Sequence, residues 1–403
     1  MNYGGGRRSA RRRRDQGVEQ EKSRSRGRRR SGRGPRRSGS GKRQARSSSR
    51  PRRRSDKGST KAGGNGARGS YTGGTSRSSY NLPMPKLFDV SAYVRLNVLQ
   101  THPNTKELVQ VRMFRGMQED TMNRLRKISH DAFTRNTNKN RYPDVLCQDR
   151  TRVVLMDGLG GSYIHASWVY LWQRETKVIC TQGPLQTTCE DFWRMIWQER
   201  SGLIVMLCDW WEEGREKCSR YLPEDEKGTE SATFGAINVR YQSVKELQLG
   251  KKTSHTLRLA VLTITRKGES RRIAHMQYTS WPDHGVPQTT EPVSELVALV
   301  ERWRSTNPER NVVVHCSAGI GRTGTFVALW ICAQALSKES KIPDLCHVVR
   351  TVRDQRLLAV QTETQFWYLH HAVVELACQR GLLRKEEAKL EQIQAAYSQL
   401  QSY

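Results

Sequence analysis

The chain has 403 residues and a formal net charge of +30, long enough for one large domain or two with a substantial core. The charge is uneven: residues 1–61 hold 24 Lys and Arg against 4 Asp and Glu, a difference of 20. The remainder is therefore only mildly basic, which suits an anionic substrate without demanding nucleic acid. Nine cysteines with no Cys-x-x-Cys pair exclude a disulfide framework and point to a reducing compartment.

In chain order, residues 1–85 are Arg, Ser and Gly with almost no aliphatic side chains, a composition expected to stay disordered. Clusters at Arg11–Arg14, Arg28–Arg30 and Arg52–Arg54 fit nuclear-import signals or RNA phosphates. Ser23, Ser25 and Ser49 each precede an Arg, and phosphorylation there would lower the charge. No aromatic or domain signature accompanies the run, so weak polyanion or RNA binding is the most it implies. The Arg-rich start has no apolar core of a secretory signal. The longest apolar stretches, around Leu203–Cys208 and Phe326–Leu336, are shorter than the ~20 residues a membrane span needs. A soluble intracellular protein, cytoplasmic or nuclear, is expected.

Residues 86–110 form a lead-in, and 111–381 read as one globular domain. Thr256–Thr265 alternates as a strand through Leu257, Leu259, Val261 and Ile264, with Ile273–Tyr278 as its hairpin partner. Val293, Leu296, Val297 and Val300 have helical spacing within Val293–Trp303. Strands joined now by hairpins, now by helices, predict an α/β (α+β) domain with a central mixed sheet flanked by helices. Residues 382–403 place Leu390, Ile393, Tyr397 and Leu400 on one face of a short amphipathic helix. No internal repeat is evident.

The most informative segment is Val312-Val313-Val314-His315-Cys316-Ser317-Ala318-Gly319-Ile320-Gly321-Arg322-Thr323-Gly324. It reads as a buried strand, a tight loop, then a helix from Val327 to Leu336. Such a loop aims backbone N–H groups and a helix N-terminus at one spot, which suits an anion. The same field favours the charged form of a cysteine at its mouth. Arg322 can grip two phosphate oxygens in its planar fork. A nucleophilic sulfur facing a phosphate cradle is equipment for phosphoryl transfer.

Seven motifs in order extend this segment: Lys139-Asn140-Arg141-Tyr142-Pro143-Asp144-Val145, Ser162-Tyr163-Ile164-His165-Ala166-Ser167, Thr181-Gln182-Gly183-Pro184-Leu185, Lys217-Cys218-Ser219-Arg220-Tyr221, Trp281-Pro282-Asp283-His284-Gly285-Val286-Pro287, the cysteine loop, and Gln361-Thr362-Glu363-Thr364-Gln365. Together they resemble the phosphotyrosine-specific protein tyrosine phosphatases of the non-receptor type, over about two-thirds of the chain. The resemblance implies that family's single-domain fold and hydrolysis of phosphotyrosine through a phosphocysteine, with no metal or other cofactor. Cys316 would be the nucleophile, and Arg322 with the amides of Ser317, Ala318, Gly319, Ile320 and Gly321 the phosphate cradle. Asp283, on a mobile loop, would be general acid and then base. Gln361 would position the water, with Gln365 its companion. Thr323 would hydrogen-bond the sulfur, and His315 would support the loop from behind. Tyr142 would set a pocket depth that only phosphotyrosine spans, and Asp144 would hold the substrate backbone. Glu212 and Lys217 match an acidic partner of Arg322 and its neighbouring lysine.

Three positions depart from the family pattern: His165 in a structural turn where Asn is usual, His284 where Phe is common, and Leu222 where Trp is frequent. None removes a group the chemistry needs. The alternatives are a phosphotyrosine-binding trap, a dual-specificity or RNA 5′-phosphatase, and a nucleic-acid scaffold acting through its tail. All three reactive residues are present, which counts against the trap. The Tyr142 and Gln361 segments count against the second.

Overall fold

The computed structural model describes residues 84–395 apart from 99, 102, 105–107, 175, 251–253 and 394. The expectations for residues 1–83 and for Tyr397 and Leu400 lie outside these. The core starts from two short apolar runs. Every residue of Ser201–Met206 is buried, as are Val312, Val313 and Val314 of Asn311–His315. Strands covered on both faces carry such unbroken runs, and these two lie parallel with Val313 opposite Ile204. Lys177–Thr181 joins one side, pairing Cys180 with Val314, and Glu269–Gln277 joins the other, both parallel.

Antiparallel strands extend both edges. The nine-stranded order is Arg152–Val154, Tyr163–Tyr170, Lys177–Thr181, Asn311–His315, Ser201–Met206, Glu269–Gln277, Thr256–Arg266, Ile237–Gln248, Ser231–Phe234. This is the expected mixed sheet flanked by helices. Its four central parallel strands end at one edge, so the segments after Thr181, Met206, Gln277 and His315 converge there. That edge of an α/β sheet is where ligands bind.

The structure moves two elements. In Thr256–Arg266 the buried positions are Leu257, Ala260, Leu262 and Ile264; Leu259 is half-buried and Val261 is 37% exposed. Pairing with Ile237–Gln248 slips between Val261 and Leu262, and a period of two read through such an irregularity loses its phase. The helix expected from Val327 starts at Gly321 and runs to Glu339, ending at Ser340 in the left-handed region (φ 53°). Arg322 and Thr323 therefore lie in its first turn. It is buried nearly all round, against Glu291–Thr306, Leu345–Arg353 and Glu363–Gln379. Gly324 permits one close approach: a Cβ there would lie 2.6 Å from the Val360 nitrogen.

Trp193, Trp197, Trp367 and Cys332 are in the core as expected, while Cys346 and Cys378 are half-buried at its margin. The predicted boundary at 110/111 falls inside the helix Val109–Leu125. The lead-in helix Val90–Asn97 packs on Glu363–Gln379, with the Tyr93 hydroxyl 2.5 Å from His370 Nδ1. Past residue 381, Lys385–Ala388 is a short helix stopped at Lys389 (φ 50°), and Ile393 is fully buried against the domain. Among the described residues, no helix is long and apolar enough to cross a membrane.

Leu329, fully buried in Gly321–Glu339, tests how far the site's supporting helix is a packed core. Leu329→Ala should cost about 2–5 kcal/mol, read as a lower midpoint in urea unfolding with an unchanged slope.

Candidate active site

The loop after Asn311–His315 is shaped by where its carbonyl oxygens go. Ser317 O accepts the Gly183 N–H (2.8 Å), and Ile320 O accepts those of Gly324 and Val360 (3.0 Å each). Ala318 O and Gly319 O both accept from Arg356, at 3.0 Å each. With four carbonyls tied outward, the N–H groups of Ser317, Ala318 and Ile320 have no partner among the described residues. The Gly319 N–H donates to Cys316 Sγ at 3.2 Å. Gly319 has φ 70°, and a Cβ there would lie 2.1 Å from Thr181 O, so only glycine fits. The helix N-terminus at Gly321 adds its dipole to the same point.

Arg322 closes the loop with its side chain 2% exposed. Its Nη1 donates to Glu212 Oε1 (2.6 Å) and Trp281 O (3.0 Å); Nη2 donates to Glu212 Oε2 (2.9 Å) and Asp283 Oδ1 (3.0 Å). Burial, the largest single effect, works against the guanidinium charge, but the Glu212 hydrogen bond together with Cys316, Cys208 and the Glu212 charge outweighs it and the pKa is raised. The other oxygen of Asp283 accepts from Lys217 Nζ. Burial pushes the Asp283 carboxyl up, yet the Lys217 hydrogen bond and the Arg322 charge win, leaving it below the usual value. In the structure Asp283 is therefore a carboxylate standing against Arg322. The Trp281 carbonyl bond and that ion pair hold the acid loop over the cleft.

His315 is buried and neutral: burial, the largest effect, lowers its pKa to about 4. Its Nδ1 lies 3.1 Å from Cys316 O, which can only accept, so Nδ1 carries the proton. Nε2 then accepts from the Tyr221 hydroxyl (2.8 Å), whose oxygen accepts from His275 Nε2 (2.8 Å). This chain of bonds runs from the sheet to the backbone of Cys316.

Tyr142 stands at the mouth, its hydroxyl 2.8 Å from Ser317 Oγ. Ser317 Oγ in turn donates to Lys217 O at 2.9 Å. A cleft of about 130 Å³ is lined by Tyr142, Asp144, Asp283, Cys316, Arg322, Gln361 and Gln365, with Ser317, Ala318 and Gly321 beneath. Gln365 is 1% exposed and its Oε1 accepts the Gln361 N–H at 2.9 Å, so the two are no solvated face. No cluster of three metal-ligating side chains occurs among the described residues.

Two expectations are corrected. Thr323 does not bond the sulfur: its Oγ1 is buried without a partner among the described residues, and the Gly319 amide takes that place. His165 lies in a strand rather than a turn, donates from Nε2 to Val145 O (2.7 Å) and accepts Arg356 Nη2 at Nδ1 (3.1 Å). It thus links the Tyr142 segment to the arginine that shapes the catalytic loop. His284 has φ 55° and an exposed ring, and Leu222 is core. Arg356 and His275 lie outside the seven motifs, and Tyr221 ends one of them with no local sign of its partners. A charge among Asp354 and Gln355 looks like surface, and only the fold shows it buried.

Four buried histidines set a pH dependence. Burial is the largest cause of depression in each: His165, His275 and His370 fall to about 3 and His315 to about 4. The unfolded chain binds these protons near pH 6.5 and the folded one does not, so stability rises with pH across that window. The melting temperature should fall steadily as pH drops from about 6.5 towards 4, and less steeply in His275→Gln.

Residues 136–375 match the family described as Protein-tyrosine phosphatase. A Lar-like tyrosine-protein phosphatase of Caenorhabditis elegans is 39% identical over 251 residues, 61% of this chain but 11% of that protein. Human receptor-type tyrosine-protein phosphatase C is 38% identical over 245 residues, 60% of this chain and 18% of that one. This chain thus matches only a small part of such relatives' length. A structure of PTPN18, described with HER2 tyrosine phosphorylation sites, is 34% identical with a TM-score of 0.61, covering 67% of this chain and 95% of that one. The matched segment is over half of the chain and contains the whole cleft: the chain belongs to the protein-tyrosine phosphatase family.

Proposed function

We propose that the chain hydrolyses phosphotyrosine in proteins. The observation that carries this is one cleft holding Cys316 Sγ, unpartnered loop amides and an Arg322 fork fixed in two bonds by Glu212. The phosphoryl group enters where Asp283 now meets Arg322. Its charge beside Asp283 favours the protonated acid there. Sγ attacks phosphorus, the P–O bond to tyrosine breaks, and the leaving oxygen takes the Asp283 proton. Arg322 and the amides hold the three equatorial oxygens. Water positioned by Gln361 then attacks the phosphocysteine, gives its proton to Asp283 and expels Sγ. His315 supports the loop through the Cys316 carbonyl. Tyr142, held by Ser317, sets the depth a phosphoserine cannot span, and Asp144 at the exposed rim meets the peptide backbone.

Two further parts belong to this proposal. The described domain is the catalytic unit of a phosphatase of the non-receptor type. The resemblance of its seven ordered motifs supports that reading. PTPN18 in complex with HER2 phosphopeptides supports phosphotyrosine proteins as partners. Residues 1–85 form a basic tail that holds polyanions weakly, on the strength of 24 Lys and Arg against 4 Asp and Glu in residues 1–61.

Turnover of a phosphotyrosine peptide beside its phosphoserine counterpart tests the chemistry. Hydrolysis should be confined to phosphotyrosine, abolished in Cys316→Ser, and slowed about 10²–10⁴-fold in kcat by Asp283→Ala. Binding by wild type without turnover would sink the enzymatic reading. Polyanion binding should weaken steeply between 50 and 200 mM salt, on the order of tenfold or more, and vanish on deletion of residues 1–85 while hydrolysis persists.

A further inference from the structure

The backbone just before Gln361 is strained at two positions. Leu358 has φ 61° and Val360 φ 58°, a left-handed region that L residues avoid and β-branched ones most of all. Such strain persists only where the surroundings over-determine it. Val360 is clamped at both ends. Its N–H donates to Ile320 O of the catalytic loop at 3.0 Å, and its carbonyl accepts from Arg353 Nη2 at 2.8 Å. Arg353 Nε holds the preceding carbonyl, Ala359 O, also at 2.8 Å. Across the same peptide unit, the Gln361 N–H donates to Gln365 Oε1 at 2.9 Å. The plane between Val360 and Gln361 is therefore fixed by both its oxygen and its hydrogen. The side chain that leaves from it lines the cleft, with Gln361 Oε1 2.9 Å from where a Cβ on Gly321 would lie.

Arg353 is an unfavourable residue to bury. It ends the helix Leu345–Arg353 and is 2% exposed. Burial, the largest effect, and then the Arg350 charge lower its pKa to about 10. Its other contacts are Thr121 Oγ1, which accepts from Nη1 at 3.3 Å, and the Phe114 ring, 5.1 Å from the guanidinium carbon. None of these four partners is a carboxylate. A buried guanidinium held only by neutral groups is harder to accommodate than an apolar side chain of similar size, so filling space does not account for it. Its planar fork does something an apolar side chain or a lysine cannot, which is to span two successive carbonyls.

We propose that Arg353 is a positioning residue for Gln361: it holds the left-handed turn at Val360 that aims the Gln361 amide at the water attacking the phosphocysteine. The inference rests on the role given to Gln361 above. Arg353 is not among the residues lining the cleft, so it acts through the backbone alone. Ile320 O keeps its bond from the Gly324 N–H when the turn loosens, and the phosphate cradle keeps its shape. Loss of Arg353 therefore falls on hydrolysis of the intermediate rather than on its formation.

Rapid mixing with para-nitrophenyl phosphate separates the two steps. A burst of nitrophenol reports phosphorylation of Cys316, and the steady rate that follows reports hydrolysis. In Arg353→Lys the burst rate should stay within about twofold of wild type while the steady rate falls about 10–100-fold. Phosphocysteine should accumulate, read by mass spectrometry of the acid-quenched protein. Thr121→Val deletes one bond to the guanidinium at nearly constant volume and should show the same pattern in smaller measure. It carries the test if the lysine variant does not fold. Gln361→Ala is the reference and should show the pattern in full. An equal loss in both steps would overturn the proposal, as the mark of a merely structural residue. So would wild-type hydrolysis in both the Arg353 and Thr121 variants while Gln361→Ala is slowed. If Gln361→Ala itself hydrolyses the intermediate normally, the role given to Gln361 fails, and this inference falls with it.

Discussion

Everything in the cleft depends on drawing the carbonyl oxygens of residues 317–320 out of it. A tight loop has as many acceptors as donors, and an anion site needs the donors inside. Gly183, Arg356, Val360 and Gly324 each hold one or more of those oxygens from outside. Arg356 is the costly member of the set, a guanidinium 1% exposed that is tolerated because its bonds to two loop carbonyls, Ser167 and His165 satisfy it. The positive φ of Gly319 completes the turn. Shape, rather than the cysteine itself, is what the surrounding fold supplies.

The second organising fact is a charge balance. Arg322 and Lys217 face Glu212 and Asp283, two cations against two anions, all largely withdrawn from water. Each charge has a partner within hydrogen-bond reach. In the proposed reaction a phosphate dianion upsets that balance, and a proton on Asp283 is the smallest change that lessens the excess.

Much of this was legible in the chain. Val312 to Gly324 announces strand, loop and helix because apolar run, glycines and arginine each have a local physical meaning. Seven ordered motifs carried the rest. What stayed hidden was tertiary. The helix start at Gly321 was missed because glycines in a first turn look like loop. The phase of Thr256–Arg266 was misread because a pairing slip leaves no mark in the sequence. Arg356, Tyr221 and His275 act through partners more than 30 residues away, and Thr323 was assigned a bond that the Gly319 amide makes instead. Polar residues inside a core read as surface until the fold encloses them.

The four parallel strands that end at one edge have a consequence for how competence arises. Thr181, Met206, Gln277 and His315 bring together segments spread over more than 130 positions of the chain. No hairpin or helix pair holds even half of the site. Pairings of such long separation form late and slowly, since chain closure must precede their reward. A nascent or partly unfolded copy therefore exposes Cys316 without the cradle that gives it purpose. The cradle is complete only when the centre of the sheet has closed.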